Sequence, residues 1–261
     1  MMLELNKITL SFIGTKDSFK ILDGVSFSVE KGKITALIGS NGSGKTTLFN
    51  VISGFQKEYS GNVIFGGIPI STLSPSQIAQ KGIGRLFQGK LLFQDLTLLD
   101  NMKLASNDCS GESPFAYFIN KKRIDKRERE KEKQAVDILN RLFGMDNKYV
   151  KMIHRMGAEF SYGEQRLISL ARLLMGNYTL LLLDEPTSGV NPVLINSIQQ
   201  IIRRIVSDGK TTVLLIEHNM PFVGNIADRC VYLSDGRIQH QGTPKEVLDN
   251  QVVKNSYLGI V

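Results

Sequence analysis

GSNGSGKTT (Gly39–Thr47) is the stretch that decides the fold. It matches G-x-x-x-x-G-K-[ST], in which glycines let backbone N–H groups curl around phosphates. The element before it, KITALI, reads as a short apolar strand, and LFNVIS after it starts a helix. A strand, this loop and a helix N-terminus together form an anion cradle, because the bare helix end carries partial positive charge. Gly39, Ser40, Asn41, Gly42, Ser43, Gly44 and Thr47 supply the wall. Lys45 reaches the β- and γ-phosphates, and the Thr46 hydroxyl is placed to ligate Mg²⁺. A purely structural glycine turn is the bland alternative, and the flanking strand and helix argue against it.

A second apolar strand, LLLLDEP, ends in Asp184 and Glu185. Two adjacent carboxylates at the end of a buried strand are costly without a cation. Mg²⁺ would supply one, with Asp184 on the metal side and Glu185 facing the attacking water as general base. A strand that simply ends in solvent would carry the same residues freely. Gln88 in GRLFQ and His218 after VLLIE also follow apolar strands. Taken singly, each reads as an ordinary polar residue at a strand end, as do His154 and His240.

GAEFSYGEQ (Gly157–Gln165) precedes a helix expected from about 164 to 175. Ser161 and Glu164 make an S-x-x-E capping box. A well-made helix start is one reading, and a second phosphate site is the other.

The rest of the chain alternates between strand and helix patterns. MMLELNKITLSF sets Leu3 and Leu5, then Ile8 and Leu10, as an early strand without a signal-peptide layout. ILDGVSFSV and GNVIFGGIPI add strands, the latter broken at Gly66-Gly67. Residues from about 89 to 163 change character. NKKRIDKREREKEKQAVDILNRLF is a mixed-sign charge run that passes into a helical apolar period at Ala135, Ile138, Leu139 and Leu142. Phe115, Tyr117 and Phe118 do not interleave with its basic residues, so it reads as a solvated helix face and not as a nucleic-acid surface. From 164 the α/β rhythm returns, with PVLINSIQQIIRRIVSD ending at Gly209 and then TTVLLIEH. Continuous apolar strands argue for a parallel sheet covered on both faces. YLSDGRIQHQG reads as a hairpin turning at Asp235-Gly236, and Thr243, Pro244 and Glu246 start a last helix.

With 261 residues, the chain suffices for one large domain or two small ones. Its formal net charge of +7 suggests an anionic partner without choosing among nucleotide, nucleic acid and membrane face. Cys109 and Cys230 lack metal-type spacing and fit a reducing compartment. No apolar run is long enough to span a bilayer, so any membrane association is expected to be peripheral and through a partner.

The phosphate loop, Gln88, FSYGEQ, LLLLDEP, SGVNP and His218 occur in the order found in ABC-type ATPases, and the chain resembles that family over essentially its whole length. The resemblance implies an α/β, RecA-like phosphate-loop core (1–88 and 164–261) with an antiparallel β subdomain and an inserted helical subdomain (89–163). It implies ATP and Mg²⁺ as ligands. It makes Gln88 a contact to Mg²⁺ and water, His218 a switch on the γ-phosphate, and Phe12 the aromatic stacked on adenine. Ser188 and Asn191 fall in the segment that crosses to a second ATPase subunit. Ser161 and Gly163 would hold the γ-phosphate bound by the loop of that second copy. The chain departs from the family's usual L-S-G-G-Q: Tyr162 replaces a glycine, and Glu164 takes the glutamine position with Gln165 after it. Asn191 stands where aspartate is frequent and Phe12 where tyrosine is.

Within the family, the segment from Met102 to Val150, LLIEHNM and VVKNSYLGIV resemble branched-chain amino-acid importer ATPases. That likeness implies integral-membrane transporter subunits as partners, with a solute-binding protein acting indirectly, at the cytoplasmic face of the inner membrane. Lipopolysaccharide-exporter ATPases share the EHNM-like segment and are the alternative. A soluble ABC ATPase acting on DNA or ribosomes fits less well, since the chain has one cassette and a modest insertion.

Overall fold

The computed structural model describes residues 1–13, 18–89, 92–106 and 114–258. Cys109 and the final residues 259–261 lie outside them, as do the side chains of Phe12, Phe115, Tyr117 and Phe118. The chain divides into two compact units.

The first unit comprises residues 1–86, 179–188 and 206–261. Its strands are β1 (Leu3–Ile13), β2 (Ser18–Val29), β3 (Ile34–Ile38), β4 (Ser60–Phe65), β5 (Ile68–Pro69), β6 (Ile83–Leu86), β7 (Leu180–Asp184), β8 (Thr212–Ile216), β9 (Arg229–Ser234) and β10 (Arg237–Gly242). Its helices are α1 (Lys45–Ile52), α2 (Pro75–Lys81), α8 (Met220–Ile226), α9 (Pro244–Leu248) and α10 (Gln251–Leu258). One sheet is antiparallel, in the order β2-β1-β4-β5. The other runs β10-β9-β3-β8-β7-β6, parallel except for the edge strand β10.

The apolar alternation of β1 changes phase between Leu5 and Ile8, and the ladder to β2 shifts register at the same place. Lys7 sits there with φ 52°. A bulge inserts one residue, so the alternation resets and all four apolar side chains still face inward. They join one core with Phe27 of β2, Leu37, Leu182 and Leu214 of β3, β7 and β8, and Leu48, Phe49 and Ile52 of α1. Each such side chain contributes roughly 1.5–3 kcal/mol by leaving water. β3, β7 and β8 are buried at every position, as two-sided parallel strands must be. The hairpin β9–β10 turns at Asp235 and Gly236, both with positive φ (50° and 71°), the backbone that a two-residue primed turn demands.

The second unit comprises residues 87–178 and 189–205. It contains α3 (Leu98–Lys103), α4 (Pro114–Phe143), α5 (Lys148–Lys151), α6 (Tyr162–Leu173) and α7 (Pro192–Val206) through Ile205. α4 buries Ala135, Ile138, Leu139 and Leu142, the helical period seen in the sequence. Its charge run is solvated, with ion pairs from Glu128 to Lys131 (3.6 Å) and to Lys103 of α3 (3.2 Å). α7 buries Ile198, Ile201, Ile202 and Ile205, a single stripe at i, i+3, i+4 and i+7. Arg141 and Arg204 donate to the carbonyls of Arg204 and Leu142 respectively, tying α4 to α7.

Candidate active site

β3 delivers the chain to Gly39, where there is no room for a side chain. A Cβ on Gly39 would lie 2.1 Å from the Leu233 carbonyl oxygen of β9. At Gly44 the backbone is left-handed (φ 102°), and a Cβ would meet the Ile21 carbonyl at 2.9 Å. α1 then starts at Lys45 with no side-chain cap, which leaves its first-turn N–H groups aimed along the helix axis. Lys45 is only 6% exposed. Its Nζ donates to the carbonyls of Gly39 and Ser40, both at 2.8 Å, and to Ser43 Oγ at 3.5 Å. Burial pushes the ammonium pKa below the usual lysine value, while the Glu185 and Asp184 carboxylates pull it back up. Ser43 is buried with it, whereas Ser40, Asn41, Gly42 and Thr46 are exposed and Thr47 is half-buried.

Asp184, 2% exposed at the end of β7, meets Arg85 of β6: the guanidinium donates from Nη2 to Oδ2 at 3.2 Å. The same guanidinium donates from Nη1 to Asn50 Oδ1 (2.8 Å) and Ser53 Oγ (2.9 Å) at the end of α1, and lies over the Phe49 ring at 5.6 Å. Burial lowers the Arg85 pKa and Asp184 opposes it. Arginine stays charged in any case. The cation that a buried carboxylate requires is therefore already present in the chain. Burial cost by itself gives no argument for a metal at Asp184.

Glu185 follows with φ 46°, a left-handed backbone that costs a residue with a Cβ about 1–3 kcal/mol. Its N–H donates to the Ile216 carbonyl at 3.0 Å, and its Oε1 lies 3.3 Å from His218 Nε2. Both side chains are half-buried. Next to His218, Glu217 is 2% exposed and accepts from Thr187 N (2.8 Å) and Oγ1 (2.7 Å) on one oxygen. Its other oxygen accepts from His218 N (3.1 Å) and Asn219 N (3.3 Å). Asn219 in turn caps α8 by accepting from Phe222 N at 3.0 Å.

The sequence reading missed both Arg85 and Glu217. The only local signal was a charged residue inside or directly after an apolar strand, as in IGRL and TVLLIE.

In the second unit, Ser161 caps α6. Its hydroxyl donates to Glu164 Oε2 at 2.7 Å, its N–H donates to the same oxygen at 2.9 Å, and Glu164 N donates back to Ser161 Oγ at 3.4 Å. Lys148 forms an ion pair with the other Glu164 oxygen. The hydrogen bond from Lys148, then those from Ser161, hold the Glu164 carboxyl at about 2. Gly163 is packed so closely that a Cβ would lie 2.3 Å from Leu194 Cδ1. The Tyr162 ring, half-exposed, lies against Gly189, where a Cβ would be 3.3 Å from its Cε1. Asn191 caps α7, accepting from Val193 N at 3.0 Å.

Lys45, Asp184, Glu185 and His218 thus come together in the first unit, which also holds Thr46. Gln88, exposed, and Ser161 and Gly163 belong to the second. Phe12 pairs through its backbone with Phe19, and its side chain is outside the described residues.

Residues 22–188 match the family described as ABC transporter, and the chain belongs to that family, as one of its ATP-hydrolysing cassettes. More particularly, it is homologous to ATP-binding proteins of branched-chain amino acid transport. It is 32% identical to the high-affinity branched-chain amino acid transport ATP-binding protein BraF of Pseudomonas aeruginosa, over 98% of this chain and 97% of that one. It is 37% identical to the probable branched-chain amino acid transport ATP-binding protein LivG of Methanocaldococcus jannaschii, over 92% of each chain. The solved ADP conformation of MJ1267, an ATP-binding cassette of an ABC transporter, superposes with a TM-score of 0.82 at 35% identity, covering 99% of this chain and 98% of that one.

Proposed function

We propose that this chain binds ATP on the Gly39–Thr47 loop and hydrolyses it with Glu185 as general base, to power the import of branched-chain amino acids or related small solutes. The observation that carries the chemistry is the Glu185–His218 pair, 3.3 Å apart in the unit that holds the buried Lys45. In this reading Lys45 leaves the loop carbonyls for the β- and γ-phosphates. The Glu185 carboxylate takes a proton from water as its oxygen bonds to the γ-phosphorus and the bond to the ADP oxygen breaks. His218 bonds the γ-phosphate and keeps it in register with that water. Thr46 and Asp184, both of the first unit, offer oxygen donors, the kind a hard cation such as Mg²⁺ prefers. Among the described residues no three His, Cys, Asp or Glu cluster as a self-sufficient metal site. A Mg²⁺ held there would share its coordination with the nucleotide and neutralise charge on its phosphates.

The exposed α6 start is proposed to serve a second ATPase subunit, with Ser161 and Gly163 at the γ-phosphate of the nucleotide in the partner's loop. Ser161 would release Glu164 to do so. Closure of the pair around two nucleotides would move the helical units against integral-membrane subunits, and hydrolysis would reopen it. No helix among the described residues is long and apolar enough to cross a membrane. The proposed location is accordingly peripheral, at the cytoplasmic face, with the solute-binding protein reached only through the membrane subunits.

The chemistry is tested by ATP hydrolysis and binding in two variants. Lys45→Ala should lose affinity, and Glu185→Gln should bind ATP and not turn it over. Normal turnover in Glu185→Gln would remove the base assignment. The transport reading is tested by a mild-detergent pull-down from native membranes. Multi-span subunits with a sister ATPase are expected, and ribosomes or DNA without a membrane protein would overturn it.

A further inference from the structure

β7 and β8 are paired up to Asp184 and Ile216, and the ladder ends there. Glu185 and His218 both lie just beyond that last rung, where two chains are free to diverge. One backbone bond continues across, from Glu185 N to the Ile216 carbonyl. The next cross-tie is a side chain. Glu217 receives both donors of Thr187, two residues past Glu185, on one oxygen, and the N–H groups of His218 and Asn219 on the other.

We propose that Glu217 is a positioning residue for hydrolysis, whose carboxylate fixes His218 opposite Glu185 by tying Thr187 to the backbone of His218. The inference rests on the reading of Glu185 as base and His218 as its phosphate-facing partner. A carboxylate has about four lone-pair sites, and all four are engaged by donors. The two oxygens serve different segments, so the group is a fixed spacer between them. An amide cannot replace it. Whichever end carried the NH₂ would face two donors with a third, and one segment would be released. Burial makes that loss more costly than it would be in water. Asparagine and aspartate are a methylene too short to reach both segments from the same backbone position.

The test compares kcat, KM and ATP affinity, the last by equilibrium titration giving binding sites per chain, in the full-length protein. Glu217→Gln should lower kcat about tenfold or more and keep affinity within about twofold, the pattern of an interaction made at the chemical step. Thr187→Ser should retain turnover. Thr187→Val, which removes the hydroxyl donor and keeps the N–H, should lose about threefold, and should add less than its own loss in the Glu217→Gln background, because both changes weaken the same tie. Wild-type kcat in Glu217→Gln, or full additivity with Thr187→Val, overturns the inference. If Glu217→Gln loses ATP-binding sites, and so has misfolded, Thr187→Val decides alone: reduced kcat with intact binding supports the tie, and wild-type kcat sinks it. Glu185→Gln and His218→Ala run alongside. Wild-type turnover in Glu185→Gln overturns the base assignment and the inference with it, whereas loss there with normal Glu217→Gln turnover overturns the inference alone.

Discussion

Arg85 shows how a single side chain can hold a site that motif patterns describe only in part. Its guanidinium joins Asp184 to Asn50 and Ser53 across separations of 99, 35 and 32 residues. Nothing local marks those partners, which is why Lys45, Asp184 and Glu185 could be read from short patterns and Arg85 could not. Removing one member of a buried ion pair leaves the other charge uncompensated, at a cost of about 3–5 kcal/mol. Arg85→Met should destabilise the protein by that order, measured by urea denaturation, and Asp184→Asn in the same background should recover part of the loss. Glu217 was obscure for the same reason, with a partner 30 residues away in Thr187. Cys230 is a simpler case. Burial pushes its thiol up to about 12, so it should resist alkylation in the folded protein and react once urea unfolds it.

Helix ends follow local chemistry closely, and two of the starts were legible as capping boxes, whereas the caps Thr97, Asn147 and Asn219 of α3, α5 and α8 were not picked out. Ser161 with Glu164 and Thr243 with Glu246 cap α6 and α9 as their spacing requires. Ser74 and Gln77 make the same box for α2, a helix that the sequence pattern did not disclose. A helix of seven residues offers barely two turns of periodicity to read. α6 differs from the others in the ion pair from Lys148 to Glu164. The Glu164 carboxyl, ordinarily 4.5, falls to about 2 in the folded chain. A depressed folded value contributes stability above pH 4.5 that is lost as pH falls towards 2. Glu164→Gln, which retains the box geometry, should therefore be less stable than the native chain at pH 7 and nearly equal to it at pH 2. The screened, surface position of the pair keeps the difference small. A gap in unfolding midpoint that stayed constant from pH 7 to pH 2 would contradict the assignment.

At the scale of the molecule, the alternation of apolar strands with helices revealed a parallel sheet, but not its order. Strand order depends on crossovers, and the chain leaves the first unit at Leu86, returns at Thr179, leaves again after Ser188 and returns at Val206. No local pattern records such a path. The pairing of two cassettes belongs to this scale too. Glu185→Gln with ATP should double in mass by light scattering, and Gly163→Val should abolish the doubling, because a branched side chain would displace Leu194 and cover the α6 start proposed to face the partner's phosphate.

The central place of β3 has a consequence for how the protein is made. Its two neighbours in the sheet are β8 and β9, and the Gly39 turn is shaped against Leu233. A ribosome at about 5–20 residues per second releases the phosphate loop long before either neighbour. For roughly ten seconds or more at that pace, the nascent chain carries the loop sequence without its walls. Chains arrested before Thr212 should accordingly not retain ATP, and the exposed apolar strand Ile34–Ile38 is the segment that a chaperone would have to shield.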